Sequence, residues 1–450
     1  MTGTTPAPPA SRGLAIATIV LGTAISTLAN TIASIALPSM ARDLGASPSA
    51  SIWIVNAYQL AVTISLLPLA SLGDIFGYRI VYLSGLALFT VASFACGFAD
   101  SLPLLVACRV AQAVGAAGLM SVNSALVRFI FPPERLGAGM SVMTLTVAVS
   151  SASGPSVAAG LLSVASWHWL FWFNVPMGLL GFWVAWKAAP RNPPAGHKFD
   201  KASAVLNALT FGLLLIGFDG LGHGGDPLLV AAELGAGAIA GVVFVRRQNG
   251  LTAPMLPVDL FRLPAFALSV ATSVCTYAAQ TIAQIALPFY FQVAGGASQA
   301  AVGLMMTPWP AVIMIIAPVS GRLSDRYPAG LLCGVGLAVL TGALCLMLQV
   351  APDASLADVA WRMALCGIGF GFFQSPNVRA IVSAAPPNRS GVASGMMSTA
   401  RLTGQTIGGA VVAMVFGFMH GDIAGGVHLA LAIAAVASAV ACVFSFLRLR

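Results

Sequence analysis

Residues 330–350 read GLLCGVGLAVLTGALCLMLQV, a run without a single charged side chain. About 20 consecutive apolar residues are what an α-helix needs to cross the hydrocarbon core of a bilayer. The apolar residues are continuous here, whereas a strand of a membrane barrel alternates apolar and polar positions. Lipid offers the backbone no hydrogen-bond partners, so a run of this kind must pair its own N–H and C=O groups, as a helix does. The same reading extends outward in both directions. Fourteen such stretches fall at 13–38, 50–73, 79–98, 102–129, 136–163, 168–188, 202–219, 227–245, 264–294, 299–321, 330–350, 356–382, 391–418 and 425–447, separated by short loops carrying Pro, Gly or charge. Composition agrees: 58% of the chain is hydrophobic and 8% charged, against about 25% charged in a soluble domain. The sequence therefore predicts an all-α polytopic membrane protein, with no room for a soluble domain between spans.

The net charge of +8 invites a nucleic-acid reading, which the placement of the charges argues against. Of the 21 Lys and Arg residues, seventeen lie at one set of span ends, Arg42 alone lies in a loop on the other side, and Arg109, Arg362 and Arg401 fall inside spans. Basic loops face the cytoplasm, so both termini are expected there, which requires an even span count. Met1–Arg12 is polar and Pro-rich, and the first span lacks a cleavage-site pattern, so span 1 is read as a retained anchor. The seven cysteines fall inside spans with no metal or redox spacing, and read as small packing residues. His168, His223 and the acids form no cluster with metal-ligand spacing, and no nucleophile, base or ligand groups converge as an enzyme would need.

An internal repeat appears at an offset near 254. Pro132-Pro133-Glu134-Arg135-Leu136-Gly137 is matched by Pro386-Pro387-Asn388-Arg389-Ser390-Gly391 and Asn123 by Asn377, while Asp74 pairs with Asp325 and Arg109 with Arg362 at offsets of 251 and 253. The chain thus divides into a cytoplasmic tail (1–12), a six-helix bundle (13–188), a linker carrying two inserted helices (189–263), and a second six-helix bundle with a short tail (264–450). Two duplicated bundles place a substrate site near the bilayer midplane between the halves, exposed to each side in turn as the halves rock.

These residues resemble the major facilitator superfamily, in particular its fourteen-span drug:proton antiporter branch. The resemblance covers nearly the whole chain. It rests on Trp53-Ile54-Val55-Asn56-Ala57-Tyr58 opening span 2, Gly73-Asp74 with Gly77 and Arg79 in the next loop, Arg109 with Gln112 and Gly115 in span 4, and Gly154-Pro155 with Gly160 in span 5. Trp167-His168-Trp169, Asn174-Val175-Pro176, Gln374-Ser375-Pro376-Asn377 and Thr399-Ala400-Arg401-Leu402-Thr403-Gly404-Gln405 extend it. The resemblance implies a bacterial-type inner-membrane exporter of small molecules, needing no cofactor and drawing on the proton gradient. The chain departs from the pattern where the branch places an Asp in span 1: it has Leu28-Ala29. The loop after span 2 also has Ala70, Ser71 and Ile75 where Gly, Arg and Arg are usual, and the second copy ends in Pro328.

Arg109 sits well inside a span, where a charge costs about 2.5–3.5 kcal/mol on insertion scales; it reads either as a cationic centre facing the cavity or as glue between helices. Arg401 in span 13 reads equally as substrate contact or as a pairing across the bundle. Polar groups within spans complete the pathway candidates: Asn56, Tyr58 and Gln59 in span 2, Asn123 in span 4, Gln280, Gln284 and Tyr290 in span 9, and Asn377 in span 12. Asp74 beside Arg79 and Asp325 beside Arg326 form a candidate gate that a charge-assisted network holds closed. Gly154-Pro155 is either a flexing point or a place of tight packing. Glu233 is the one acid well inside a span, and it lies in the insertion.

None of the thirteen acids falls well inside the twelve repeat spans. The central field is therefore expected to be positive, favouring neutral, zwitterionic or anionic substrates over quaternary cations, with Ala29→Asp shifting preference toward cations. The expected partners are a small-molecule substrate and the lipid bilayer, with no nucleic acid, and the expected state is a monomer. A metabolite permease or exporter is the alternative within transport, and a non-transporting membrane sensor or scaffold is the alternative outside it.

Overall fold

The structure, a computed structural model, describes residues 9–131, 136–190, 199–222, 225–249, 251, 258–384, 390–419 and 422–449. Among them, thirteen helices are long and apolar enough to cross a membrane. Ser390–Phe418 is a further 29-residue helix where the sequence puts span 13; Arg401 and Gln405 lower its hydropathy. Both stretches that anchor the repeat, 132–135 and 386–389, lie outside the described residues, as do His223 and residues 1–8.

The spans are numbered here in chain order. Span 1 is Pro9–Asp43, and Pro38 lies inside it rather than ending it. A transmembrane helix tolerates the missing N–H, and close to this point the Ile35 carbonyl accepts a hydrogen bond from Gln292. Spans 2, 6 and 10 are broken into short and long pieces, Pro48–Ser51 with Trp53–Phe76, His168–Trp172 with Asn174–Ala188, and Gln299–Met306 with Pro308–Leu323. In span 10 the break falls at Thr307, which keeps helical backbone at φ −63° and ψ −38°; the following Pro308 has no N–H to continue the ladder. Span 9, Pro264–Phe289, continues as a π-turn over Tyr290–Ala294 just after Pro288, where a regular ladder loses a donor.

Spans 3, 4, 5, 7, 8, 11, 12 and 14 are Tyr78–Cys96, Leu102–Ile130, Leu136–Val164, Lys201–Gly222, Pro227–Gln248, Ala329–Met347, Leu356–Ala384 and Ile423–Leu447. Their packing reproduces the duplication. Span 1 packs on spans 5 and 6, span 4 on spans 2 and 3, and span 3 on span 6; in the second half span 9 packs on spans 13 and 14, span 12 on spans 10 and 11, and span 11 on span 14. Equivalent glycines make the closest of these contacts. A Cβ on Gly85 would meet the Gly115 carbonyl at 2.9 Å, and one on Gly336 would meet the Gly369 carbonyl at 2.7 Å. Small residues let the two backbones touch, which is how helices gain packing energy where lipid supplies no hydrophobic drive.

The halves meet where span 5 packs on span 10, span 1 on span 9, and span 2 on span 13. The inserted spans 7 and 8 pack on each other, with span 7 seated against spans 2 and 13. Asn207 donates to the Ile64 carbonyl at 3.1 Å and Trp53 donates to Asp219 at 2.9 Å, tying the insertion to span 2 at two heights. At its other end, Asp200 pairs with Arg247 at 3.1 Å. Partial burial raises the Asp200 pKa, but hydrogen bonds from Ser203 and Arg247 outweigh it and hold the carboxyl below its usual range. Outer faces carry exposed apolar side chains such as Leu228, Ile239 and Val242, the surface that hydrocarbon requires.

Candidate functional site

Arg109 is fully buried in span 4. Its Nε donates to the Ile54 carbonyl at 3.1 Å, and one terminal nitrogen donates to Gln112 Oε1 at 2.6 Å and to the Ala29 carbonyl at 3.4 Å. Gln112 in turn donates to Ser93 at 2.7 Å. The guanidinium carbon lies 4.0 Å from the Tyr58 ring centroid and 5.8 Å from that of Phe171, a geometry in which the ring quadrupole attracts a desolvated cation. No carboxylate is among these partners. Arg109 therefore binds spans 1, 2, 3, 4 and 6 together and stands behind the wall of the central cavity, with Tyr58 between them. Ala29 lies beside Arg109 and not on that wall.

The cavity itself, of about 100 Å³, lies between the halves. Span 1 contributes Ser26, Thr27, Asn30 and Thr31, span 2 Tyr58 and Gln59, span 9 Tyr277, Gln280 and Gln284, span 12 Phe370 and Gln374, and span 13 Arg401 and Gln405. Of the residues singled out from sequence, Tyr58, Gln59, Gln280, Gln284 and Arg401 are brought together here. Among the described residues Arg401 makes no hydrogen bond or ion pair, and no acid lines the cavity. At the repeat offset of 254 its counterpart is Val147, which also lines the cavity, so the charge is on one half only.

The other polar candidates sit elsewhere. Asn123 donates to Thr23 at 3.1 Å, and Asn377 donates to Ser273 at 2.7 Å and to the Ser269 carbonyl at 3.2 Å. Each thereby joins span 4 or 12 to the first helix of its own half, and Asn377 also accepts from Arg448 at 2.7 Å. Asn56 is buried against Gly409, where an added Cβ would meet its Oδ1 at 1.9 Å, in the seam between spans 2 and 13. Tyr290 donates to the Val350 carbonyl at 2.6 Å, and Arg362 pairs with Asp358 one turn away. Among the cavity residues absent from the sequence candidates are Asn30, Tyr277, Gln374 and Gln405. Helical spacing was the available signal: Tyr277, Gln280 and Gln284 share one face, as do Arg401 and Gln405.

The halves are tied together toward the face opposite the chain termini. Gln292 donates to the Ile35 carbonyl at 3.1 Å and accepts from Ser39 at 3.4 Å, and the Ser156 and Thr307 hydroxyls lie 3.1 Å apart. Near the middle, Thr63 meets Thr406 at 3.2 Å. Gly154 permits this closure, since a Cβ there would lie 2.7 Å from Thr31 Cγ2, and the Pro155 carbonyl would lie 2.9 Å from a Cβ on Gly303.

The two candidate gate loops differ. Asp74 accepts from Tyr78 at 2.5 Å, while Arg79 donates to the Trp186 carbonyl, so the two are not partners. Asp325 pairs with Arg379, and Arg326 is exposed. Gly77 has φ +102°, a left-handed backbone that only glycine adopts without strain. Pro328, its counterpart, has φ −56°, which accounts for the altered end of the second copy.

Two duplicated helical bundles around a central polar cavity define a solute transporter rather than an enzyme. The chain belongs to the Major Facilitator Superfamily, whose sequence profile matches residues 19–409. It is similar to the "Uncharacterized transporter YebQ" of Escherichia coli (strain K12), 47% identical over 437 residues that cover 97% of this chain and 95% of that protein. It is also similar to the "Multidrug resistance protein Stp" of Mycobacterium tuberculosis (strain CDC 1551 / Oshkosh), at 31% over 388 residues covering 85% and 72%. The "Riboflavin transporter RibZ" of Clostridioides difficile (strain 630) is 28% identical over 403 residues covering 88% and 87%.

Proposed function

We propose that this transporter exports small organic molecules from the cytoplasm across a bacterial inner membrane by alternating access, in the manner of a drug-efflux protein. The observation that carries this reading is the polar cavity between the halves, with hydrogen bonds between them concentrated toward the face opposite the termini. The lopsided placement of Lys and Arg supports cytoplasmic termini, so the cavity in this form is closed to the outside. Tyr58, Gln59, Gln280, Gln284 and Arg401 contact the substrate, while Asp74, Arg79, Asp325 and Arg326 bias the balance between states through their loops. The likeness to Stp supports export of drug-like compounds.

The test is expression in an efflux-deficient bacterial host exposed to a panel of antibiotics, dyes and vitamins. Raised tolerance to, or lowered accumulation of, at least one compound is expected, and is lost when Arg401 and Gln280 are replaced together by alanine. Increased accumulation of a panel compound would instead mark an uptake permease.

A further inference from the structure

Two features of the cavity are left over once its shape is accounted for. The first is charge. Arg401 faces the cavity without an ion pair or hydrogen bond among the described residues, and Arg109 stands one aromatic ring behind the opposite wall, held by carbonyls and an amide and by no acid. Two cations thus act on a space that, among the described residues, no carboxylate lines. The second is hydrogen-bonding capacity. The side-chain amide oxygens of Gln59 (Oε1) and Asn30 (Oδ1), on spans 2 and 1, are buried with no partner, and Gln59 is only 3% exposed. A buried acceptor without a donor is destabilising, and both residues border the cavity. The cationic pole is on the second half and the acceptor pair on the first.

The geometry points to a two-pole site for a small organic anion: a carboxylate on the ligand pairs with Arg401, and an N–H or hydroxyl elsewhere on the ligand donates to Gln59 and Asn30. A guanidinium presents its donors as a planar fork that matches a carboxylate in bidentate fashion. Tyr58, Tyr277 and Phe370 also line the cavity, so an aryl or heteroaryl body suits the rest of the ligand. Such a ligand touches both halves at once. A permanent cation of the same size meets repulsion from Arg401 in addition to its own desolvation. This inference rests on the transporter reading but names its ligand class independently of direction.

The experiment is a binding measurement on the purified full chain in detergent, where no gradient exists and direction plays no part. The probes are matched triads: N-acetyl-phenylalanine and related aryl carboxylates bearing an amide, their methyl esters, and their trimethylammonium analogues. Within a triad the carboxylate is expected to bind saturably and at least tenfold tighter than the trimethylammonium compound. Arg401→Ala should remove that preference without lowering the melting temperature, and Arg401→Lys should restore part of it. Gln59→Leu should weaken N-acetyl-phenylalanine several-fold while sparing a carboxylate that lacks the N–H. Equal or tighter binding of the cation, no saturable binding by any carboxylate, or a preference that survives Arg401→Ala overturns the inference. Export of cations by cells would sink it while leaving the exporter reading intact; selective carboxylate binding without any cellular efflux would do the reverse.

Discussion

Arg109 is held by two main-chain carbonyls, a glutamine and two aromatic rings; Arg401, in the second bundle, makes no hydrogen bond or ion pair among the described residues. The difference predicts opposite phenotypes. Arg109→Ala leaves the buried Gln112 oxygen without its donor, an unmet group costing about 1–3 kcal/mol, and removes the side chain that ties spans 1, 2 and 4 together. A clearly lowered melting temperature and yield are expected in thermal-shift measurements, with Arg109→Lys intermediate because an ammonium cannot reproduce the fork. A wild-type melting temperature for Arg109→Ala would refute its structural role. Ala29→Asp, beside Arg109, is expected to offset that arginine's charge rather than to equip the cavity for cations. Asp325→Asn breaks an exposed pair with Arg379, whose side chains are 69% and 50% exposed, so protein abundance should hold, since such pairs contribute about 0–1 kcal/mol. Slowed transport at normal abundance is the expected result; an unchanged rate would rule out a gating part for this loop.

At the scale of elements, the contact between spans 1 and 9 carries the seal on the far face. Gln292→Ala removes the hydrogen bonds to the Ile35 carbonyl and from Ser39. At about 0.5–1.5 kcal/mol each, their loss shifts the balance between states by roughly 5- to 150-fold at 1–3 kcal/mol. Distances between spin labels placed at the far ends of spans 1 and 9 should then lengthen in a larger fraction of molecules. An unaltered distance distribution would show that the seal rests on packing alone, for example on the Gly154 and Gly303 contacts. The helices themselves were legible because apolar run length is a local property. The break in span 10 and the π-turn after Pro288 were not, because prolines fix where a ladder weakens but neighbouring helices decide whether it bends or continues.

Seen whole, the molecule makes a topological and an energetic prediction. Reporters of compartment fused at Arg450 and in the loop near His420 should give opposite answers, and matching answers would break the even span count. An anion leaving a cell that is negative inside runs with the membrane potential. The gain is about 2.3 kcal/mol per charge at 100 mV, a gradient of roughly 50-fold at 1.4 kcal/mol per decade. With no carboxylate lining the cavity among the described residues to carry a proton, efflux of an aryl carboxylate from proteoliposomes should follow an imposed potassium-diffusion potential. Dependence on the pH gradient alone, with the potential clamped at zero, would instead point to proton coupling through a group outside the cavity wall.

The sequence by itself determined the class: run lengths fixed the helices, the lysine and arginine placement suggested the orientation, and the offset near 254 announced the duplicated bundles. It also singled out five residues of the cavity wall and the absence of an acid well inside the repeat spans. What only the tertiary structure decided was which polar side chains face the cavity. Asn123 and Asn377 match across the repeat, yet both are spent on contacts within their own halves. Asn30 gave no comparable sign, yet it lines the cavity. The physical reason is that a polar residue inside a span must find a partner, and a partner on an adjacent helix meets that need as well as a substrate does. Sequence gives the need, and only the rotation and packing of each helix choose between the two.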